Sequence, residues 1–297
     1  GPFTPKFSGR ERTKFTRQYD IFYYMTDGSF FISKAKLNAV HFMIPLNQTP
    51  SLIQRLKLNT WDIKTANSFF TKNYLESAWK IKINYVHWGA VNAADFPPLP
   101  KQNLILNVGR FFSPQGNKHC KRQDFLVKTF IKMFNLGWLR DWRLILNGPI
   151  DSGLDNQRYA DSVANLAKGY PITIRHQGNF KQLQQDYGQA KIYWHATGWG
   201  IDATTNPQAV EHFGLSTVEA MAAGVVPIVI NQGGQPEIVT HRKDGLLWQT
   251  QAELINQTKS LLTDSKTLHR LATTAHIRSL DFSFSKFCQK TQKIFNL

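Results

Sequence analysis

The sequence predicts an α/β protein of two domains, each built on a parallel sheet covered by helices. Three observations carry this. Short runs that are apolar on both faces, such as "NLILNV" and "VVPIVI", alternate with longer amphipathic segments, the pattern of strands buried between helical layers. A proline cluster at residues 96–100, "FPPLP", suits neither a helix interior nor a central strand and separates two such alternating stretches. Finally, 297 residues with 42% hydrophobic content suffice to bury two cores.

The elements follow in order. Residues 1–18 form a basic lead-in that opens on Gly-Pro rather than Met, as a cleaved tag would leave it, and an excised fragment is expected. The first domain, 19–96, begins with strands at 19–25 and 37–44, separated by turn signals such as Asp27-Gly28. An amphipathic piece from Ser51, a strand in "WDIKTA", a helix from Ser68 and a strand in "IKINYVHW" complete it. The second domain, 101–281, repeats the alternation more cleanly, with strands in "NLILNV", "WRLILNG", "ITIRHQG", "KIYWHAT" and "VVPIVI". Helices are expected from Gln123, from Asn156, near Leu183 and through the alanine-rich "STVEAMAA". Leu254, Leu261, Leu268 and Leu271 recur at helical spacing near the end, and 282–297 is expected to be a closing helix.

Charge and cysteine usage narrow the function classes. A formal charge of +16 and a pI near 9.8 favour a phosphate-bearing partner, or an anionic membrane touched peripherally. Basic residues are scattered and no nucleic-acid-binding motif occurs, so nucleic acid is not expected. Cys120 and Cys288 have neither metal-ligand spacing nor a disulfide framework, which fits a reducing, cytoplasmic setting. No apolar run reaches membrane-spanning length. No Asp-x-Asp loop or His/Cys cluster has metal-ligand spacing, so no metal or other cofactor is expected.

The chemistry is expected at the carboxyl ends of the second domain's strands, where open parallel sheets bind ligands. Gly109 lets the chain turn sharply after "NLILNV", and Arg110 projects from that edge. Lys118, Lys121 and Arg122 then precede a helix, where cations repel its positive end unless an anion joins them. They read either as diphosphate ligands or as a solvated face. The spaced glycines of a dinucleotide fingerprint and the P-loop are both absent.

In "EHFGLSTVEAMAAG", residues 211–224, Ser216 and Glu219 fit a capping box at a helix start. That leaves Glu211 and the glycine-bearing turn unexplained. A carboxylate accepts two charge-assisted hydrogen bonds from paired hydroxyls, and helix-start amides accept an anion. A sugar nucleotide would use both: ribose hydroxyls on Glu219, sugar hydroxyls on Glu211, and the diphosphate on amides from Phe213, Gly214, Leu215, Ser216 and Thr217.

These residues resemble the retaining glycosyltransferase family 4, of the GT-B fold, whose E-x7-E signature Glu211 and Glu219 match. Ordered companions are "VGR" at 108–110, "GGQPEIV" at 233–239 and "DGLLW" at 244–248. The resemblance implies a Rossmann-like C-terminal domain that binds a nucleoside-diphosphate sugar, UDP- or GDP-linked, and an N-terminal domain that supplies the acceptor site. Arg110 and Lys121 would neutralise the diphosphate. This chain departs from the family's Lys-Gly by having Lys121-Arg122, so Lys118 or Arg122 stands as an alternative ligand. Gln232-Gly233-Gly234 would lie near the sugar, while Glu237 reads as structural or functional. "AVHFMIPLN" resembles the strand carrying a histidine near the reaction centre, which makes His41 a candidate beside the plain reading of a buried strand histidine. His87 and His195 invite the same plain reading. The base pocket is expected near residues 175–178.

The implied reaction is metal-independent, retaining transfer of a sugar to a hydroxyl of a glycan, lipid-linked or protein acceptor. The first strand and glycine-rich loop of the N-terminal domain are expected before Phe3. A fragment lacking them is expected to bind donor without completing transfer. A non-catalytic sugar-nucleotide or polyanion-binding module is the alternative.

Overall fold

The computed structural model describes residues 8–26, 28–114 and 119–297. The opening Gly-Pro segment, Asp27 of the Asp27-Gly28 turn and the cation candidate Lys118 lie outside them. The chain divides into two units, 1–88 with 290–297, and 89–289. The division thus falls after Trp88, ahead of the proline cluster read as the boundary, and the last eight residues belong with the first unit.

The first unit carries helix α1 (Gly9–Thr16) and strands β1 (Ile21–Thr26) and β2 (Leu37–Phe42). Helix α2 (Leu52–Leu58), strand β3 (Ile63–Ala66), helix α3 (Phe69–Trp79) and strand β4 (Tyr85–Val86) follow. The four strands pair in parallel in the order β1-β2-β3-β4. Ser51 and Ser68 start helices near the positions expected, Ser51 in a capping box and Ser68 accepting from the Thr71 amide, while α1, capped by a further box at Ser8, forms within the stretch read as a plain basic lead-in. An aromatic cluster of Phe31, Phe42, Trp61 and Trp79 forms one core. "IKINYVHW" yields only the two-residue β4.

The second unit is a six-stranded parallel sheet of β5 (Leu104–Val108), β6 (Arg143–Asn147), β7 (Ile172–Arg175), β8 (Ile192–His195), β9 (Val226–Ile230) and β10 (Leu246–Trp248). Between strands run α4 (Gln123–Asn135), α5 (Leu154–Ala167), α6 (Phe180–Gln189), α7 (Leu215–Ala222) and the single-turn α8 (Gln235–Ile238). Helices α9 (Gln251–Thr263), α10 (Ser265–Ser279) and α11 (Phe284–Phe295) end the chain. Strand order is β10-β9-β8-β5-β6-β7, so the chain winds outward from β5 in one direction and then returns to β8 on its other side. That reversal opens a crevice at the carboxyl ends of β5 and β8, the place where such sheets take ligands. The strands β5, β8 and β9 are almost wholly buried, as their continuous apolar character requires.

A carboxylate network at the switch point

The loops after β5 and β6 approach each other through their backbones, and so do those after β8 and β9. The Gly109 amide extends the sheet by donating to the Asn147 carbonyl at 2.9 Å. A Cβ on Gly148 would stand 2.1 Å from the Gly109 carbonyl oxygen, so only glycine fits there. On the other side, Gly233 has φ +63° and a Cβ on it would stand 2.1 Å from the Glu211 carbonyl oxygen, which also accepts from the Gly234 amide at 2.8 Å. The Gly-Gly loop therefore clamps the backbone of Glu211. Glu237 anchors this segment through its carbonyl, which accepts from Arg278 Nη2 at 2.7 Å.

Glu211 stands at the centre of the crevice. Lys121 Nζ donates to its Oε2 at 2.6 Å, and His195 Nε2, at the end of β8, lies 3.1 Å from the same oxygen. His119 Nε2 lies 3.4 Å from Oε1. Burial opposes charge on this carboxylate, yet Lys121 and then His119 outweigh it and hold its pKa well below the usual carboxylate range. For His195 burial prevails: it lowers the pKa despite the opposing hydrogen bond and charge of Glu211. Its Nδ1 is buried without a hydrogen-bond partner among the described residues. His212 stacks on His119 with ring centroids 5.0 Å apart, and burial, reinforced by His119, lowers its pKa to about 4.

The second glutamate lies on α7, and here the capping-box expectation is corrected. The helix starts at Gly214, with φ +117°, and its N-cap position makes no side-chain bond. Ser216 sits inside the helix, where its Oγ accepts from Tyr193 Oη at 2.8 Å. Glu219 Oε2 accepts from Tyr187 Oη at 2.7 Å. Burial raises the Glu219 pKa against that bond. The turn is held by Gln235, whose Oε1 accepts from Thr217 Oγ1 at 2.9 Å and whose Nε2 donates to the Phe213 carbonyl at 3.2 Å. Those bonds leave the first-turn amides of Leu215 and Ser216 as helix-start donors. The Phe213 side chain is buried against Phe282, so only its backbone faces the turn.

The remaining candidates fall in different places. The Arg110 side chain is 61% exposed, 3.8 Å from Asp151 and over the Phe112 ring, at the crevice rim. Arg122 is committed within the protein, to Asp124 at 3.2 Å and to the Trp199 carbonyl. Arg175 pairs with the buried Asp186 at 3.1 Å and borders, with His176, Gly178 and Gln182, a cavity of 720 Å³ after β7. His41 belongs to the first unit, where its Nδ1 meets Thr65 Oγ1 at 2.8 Å and burial lowers its pKa to about 4. His119, Tyr187, Tyr193 and Gln235 were not singled out by sequence reasoning; the nearness of His119 to Lys121 and the place of Gln235 within "GGQPEIV" are the signals that could have pointed to two of them.

Comparison with known proteins agrees with this architecture. Curated relatives are GDP-Man:Man(3)GlcNAc(2)-PP-Dol alpha-1,2-mannosyltransferases: that of Dictyostelium discoideum is 26% identical over 201 residues, covering 62% of this chain and 37% of the relative. The Homo sapiens protein is 25% identical over 254 residues, covering 79% and 49%. The chain thus spans between about a third and a half of the length of the relatives it matches. Among solved structures, Anabaena Alr3699/HepE, in complex with UDP and glucose, superposes with a TM-score of 0.73 at 16% identity over 97% of this chain and 81% of that one. Sucrose-phosphate synthase of Thermosynechococcus elongatus gives 0.69 at 19% identity over 100% and 81%. These likenesses show the α/β fold with its two Rossmann-like sheets, of the GT-B class. The description "Glycosyl transferases group 1" matches residues 93–278, well over half the chain and all of the network around Glu211, and the chain belongs to that family.

Proposed function

We propose that the second unit binds a nucleoside-diphosphate sugar for metal-independent, retaining transfer to an acceptor hydroxyl. The observation that carries the reading is the ionised, buried Glu211 beside Lys121, at the switch point and next to a glycine-started helix. An ammonium has three donors, so Lys121 can hold Glu211 with one and offer the others to a diphosphate. As the sugar–phosphate bond breaks, negative charge grows on the leaving diphosphate. Lys121, Arg110 and the amides of Leu215 and Ser216 would stabilise it more than the intact donor, which lowers the barrier. Glu211 then takes hydroxyls of the sugar and Glu219 those of the ribose, with Tyr187 orienting Glu219.

The names of the curated relatives favour a GDP-linked sugar and a lipid-linked glycan acceptor; the solved structure with UDP makes the uridine donor the competitor. Calorimetric titration with GDP-mannose, UDP-glucose, GDP and UDP, each with and without EDTA, tests the reading. Selective binding of one sugar nucleotide, unaffected by EDTA and lost in Glu219→Ala, is expected. Absence of binding to all four, or binding only with a divalent ion, would overturn it.

A further inference from the structure

The first unit carries a surface that donor binding does not use. A groove of 1030 Å³ is lined by Arg10, Arg12, Lys14, Arg17, Lys34 and Lys57. None of these six makes an ion pair among the described residues. Glu11, the acidic residue within α1, is turned to the Ser8 amide, 2.7 Å away, in the capping box. The groove also has apolar lining, Phe30, Phe31 and the half-exposed Ile32.

Helix α2 continues this surface, because Lys57 is one of its residues. Leu58 is buried in the core and Arg55 Nη1 donates to the Trp79 carbonyl at 3.0 Å, which fixes the inner side. Leu52, Ile53 and Leu56 then share the outer side, 81%, 65% and 68% exposed. Three neighbouring exposed aliphatic side chains form a patch, not the scattered single exposures of an ordinary surface.

We infer that this face docks on an anionic lipid bilayer, with α2 seated at the headgroup–acyl boundary and the basic groove against the headgroups. A soluble polyanion would use the cations alone and leave the aliphatic patch in water. An anionic bilayer uses both, through apolar burial and attraction to charged headgroups. The inference goes beyond the donor reading and stands apart from it, since nucleotide binding by the second unit is measured separately.

The test is cosedimentation of the full chain with vesicles of phosphatidylcholine, with and without phosphatidylglycerol. Binding only to the anionic vesicles is expected. The exposed triple variant Leu52→Ser/Ile53→Ser/Leu56→Ser should keep its melting temperature and lose at least about tenfold in partitioning. Lys14→Ala and Arg17→Ala should each lose roughly fivefold at low salt. The inference is overturned by no binding to anionic vesicles or by equal binding to neutral ones. It is also overturned by a triple variant that binds like the parent, the mark of a polyanion surface, or by light scattering that shows a dimer which the triple variant dissolves.

Discussion

In the first unit, the buried His41 of β2 meets Thr65 and the rings of Tyr23 and His87; in the second, the buried His195 of β8 meets Glu211, with Lys121 on the same carboxylate oxygen. Both histidines sit on inner parallel strands, and burial lowers the pKa of each. What differs is the company. The first cluster surrounds its histidine with hydroxyls and aromatic rings and, among the described residues, holds no carboxylate, whereas the carboxylate and ammonium make the second a charged centre able to order a charged ligand. Formal charge differs as well: the first unit has fifteen Lys and Arg against five Asp and Glu, the second twenty-one against fifteen. The lesson is that strand histidines become informative through the groups opposite them, and that net charge by itself does not locate the proposed donor site, which lies in the less basic unit.

The comparison can be broken most severely at the centre of the second unit. Glu211→Ala strands Lys121 in a buried site, which should cost about 3–5 kcal/mol in denaturant unfolding. It should also weaken sugar donors more than bare nucleoside diphosphate; equal loss for both ligands would refute the sugar-hydroxyl role. Gly148→Ala places a Cβ against the Gly109 carbonyl and should cost about 3 kcal/mol or more in the second unit, read by hydrogen exchange, with the first unit unaffected.

Acid destabilises both clusters, but over different ranges. His41 has a folded pKa of about 4 against an ordinary 6.5, so the unfolded chain takes the proton first. Its contribution is whole above pH 6.5 and is lost as pH falls towards 4, by roughly 3 kcal/mol. The Glu211 contribution, from a depressed carboxylate, is whole above the ordinary 4.5 and is lost only as pH falls further. His41→Gln should flatten the first unit's stability between pH 7 and 5; an unchanged slope would exclude this assignment. The smallest stability effect is expected for Glu219→Gln. Burial raises the Glu219 pKa, so losing its charge should leave the melting temperature level or higher while nucleotide binding falls.

Much of this was legible in the chain. Apolar runs such as "NLILNV" and "VVPIVI" predict parallel strands because both sheet faces are covered, and Ser51 and Ser68 marked helix starts through local capping. The capping box at Ser216 and Glu219 failed because Gly214, with its positive φ, already starts that helix, leaving both side chains to inward-facing tyrosines. The boundary after Trp88 was hidden because prolines report where regular structure is interrupted, not where packing contacts thin out.

The sequence by itself determined the alternation of strands and helices, the obligatory glycines at strand ends and the spacing of Glu211 from Glu219, since each depends on residues near in the chain. Only the tertiary structure decided that Lys121 and His195 converge on Glu211, from positions 90 and 16 residues away. That convergence arises from the order of β5 and β8 in the sheet, and strand order is settled by which apolar faces bury together rather than by any local pattern.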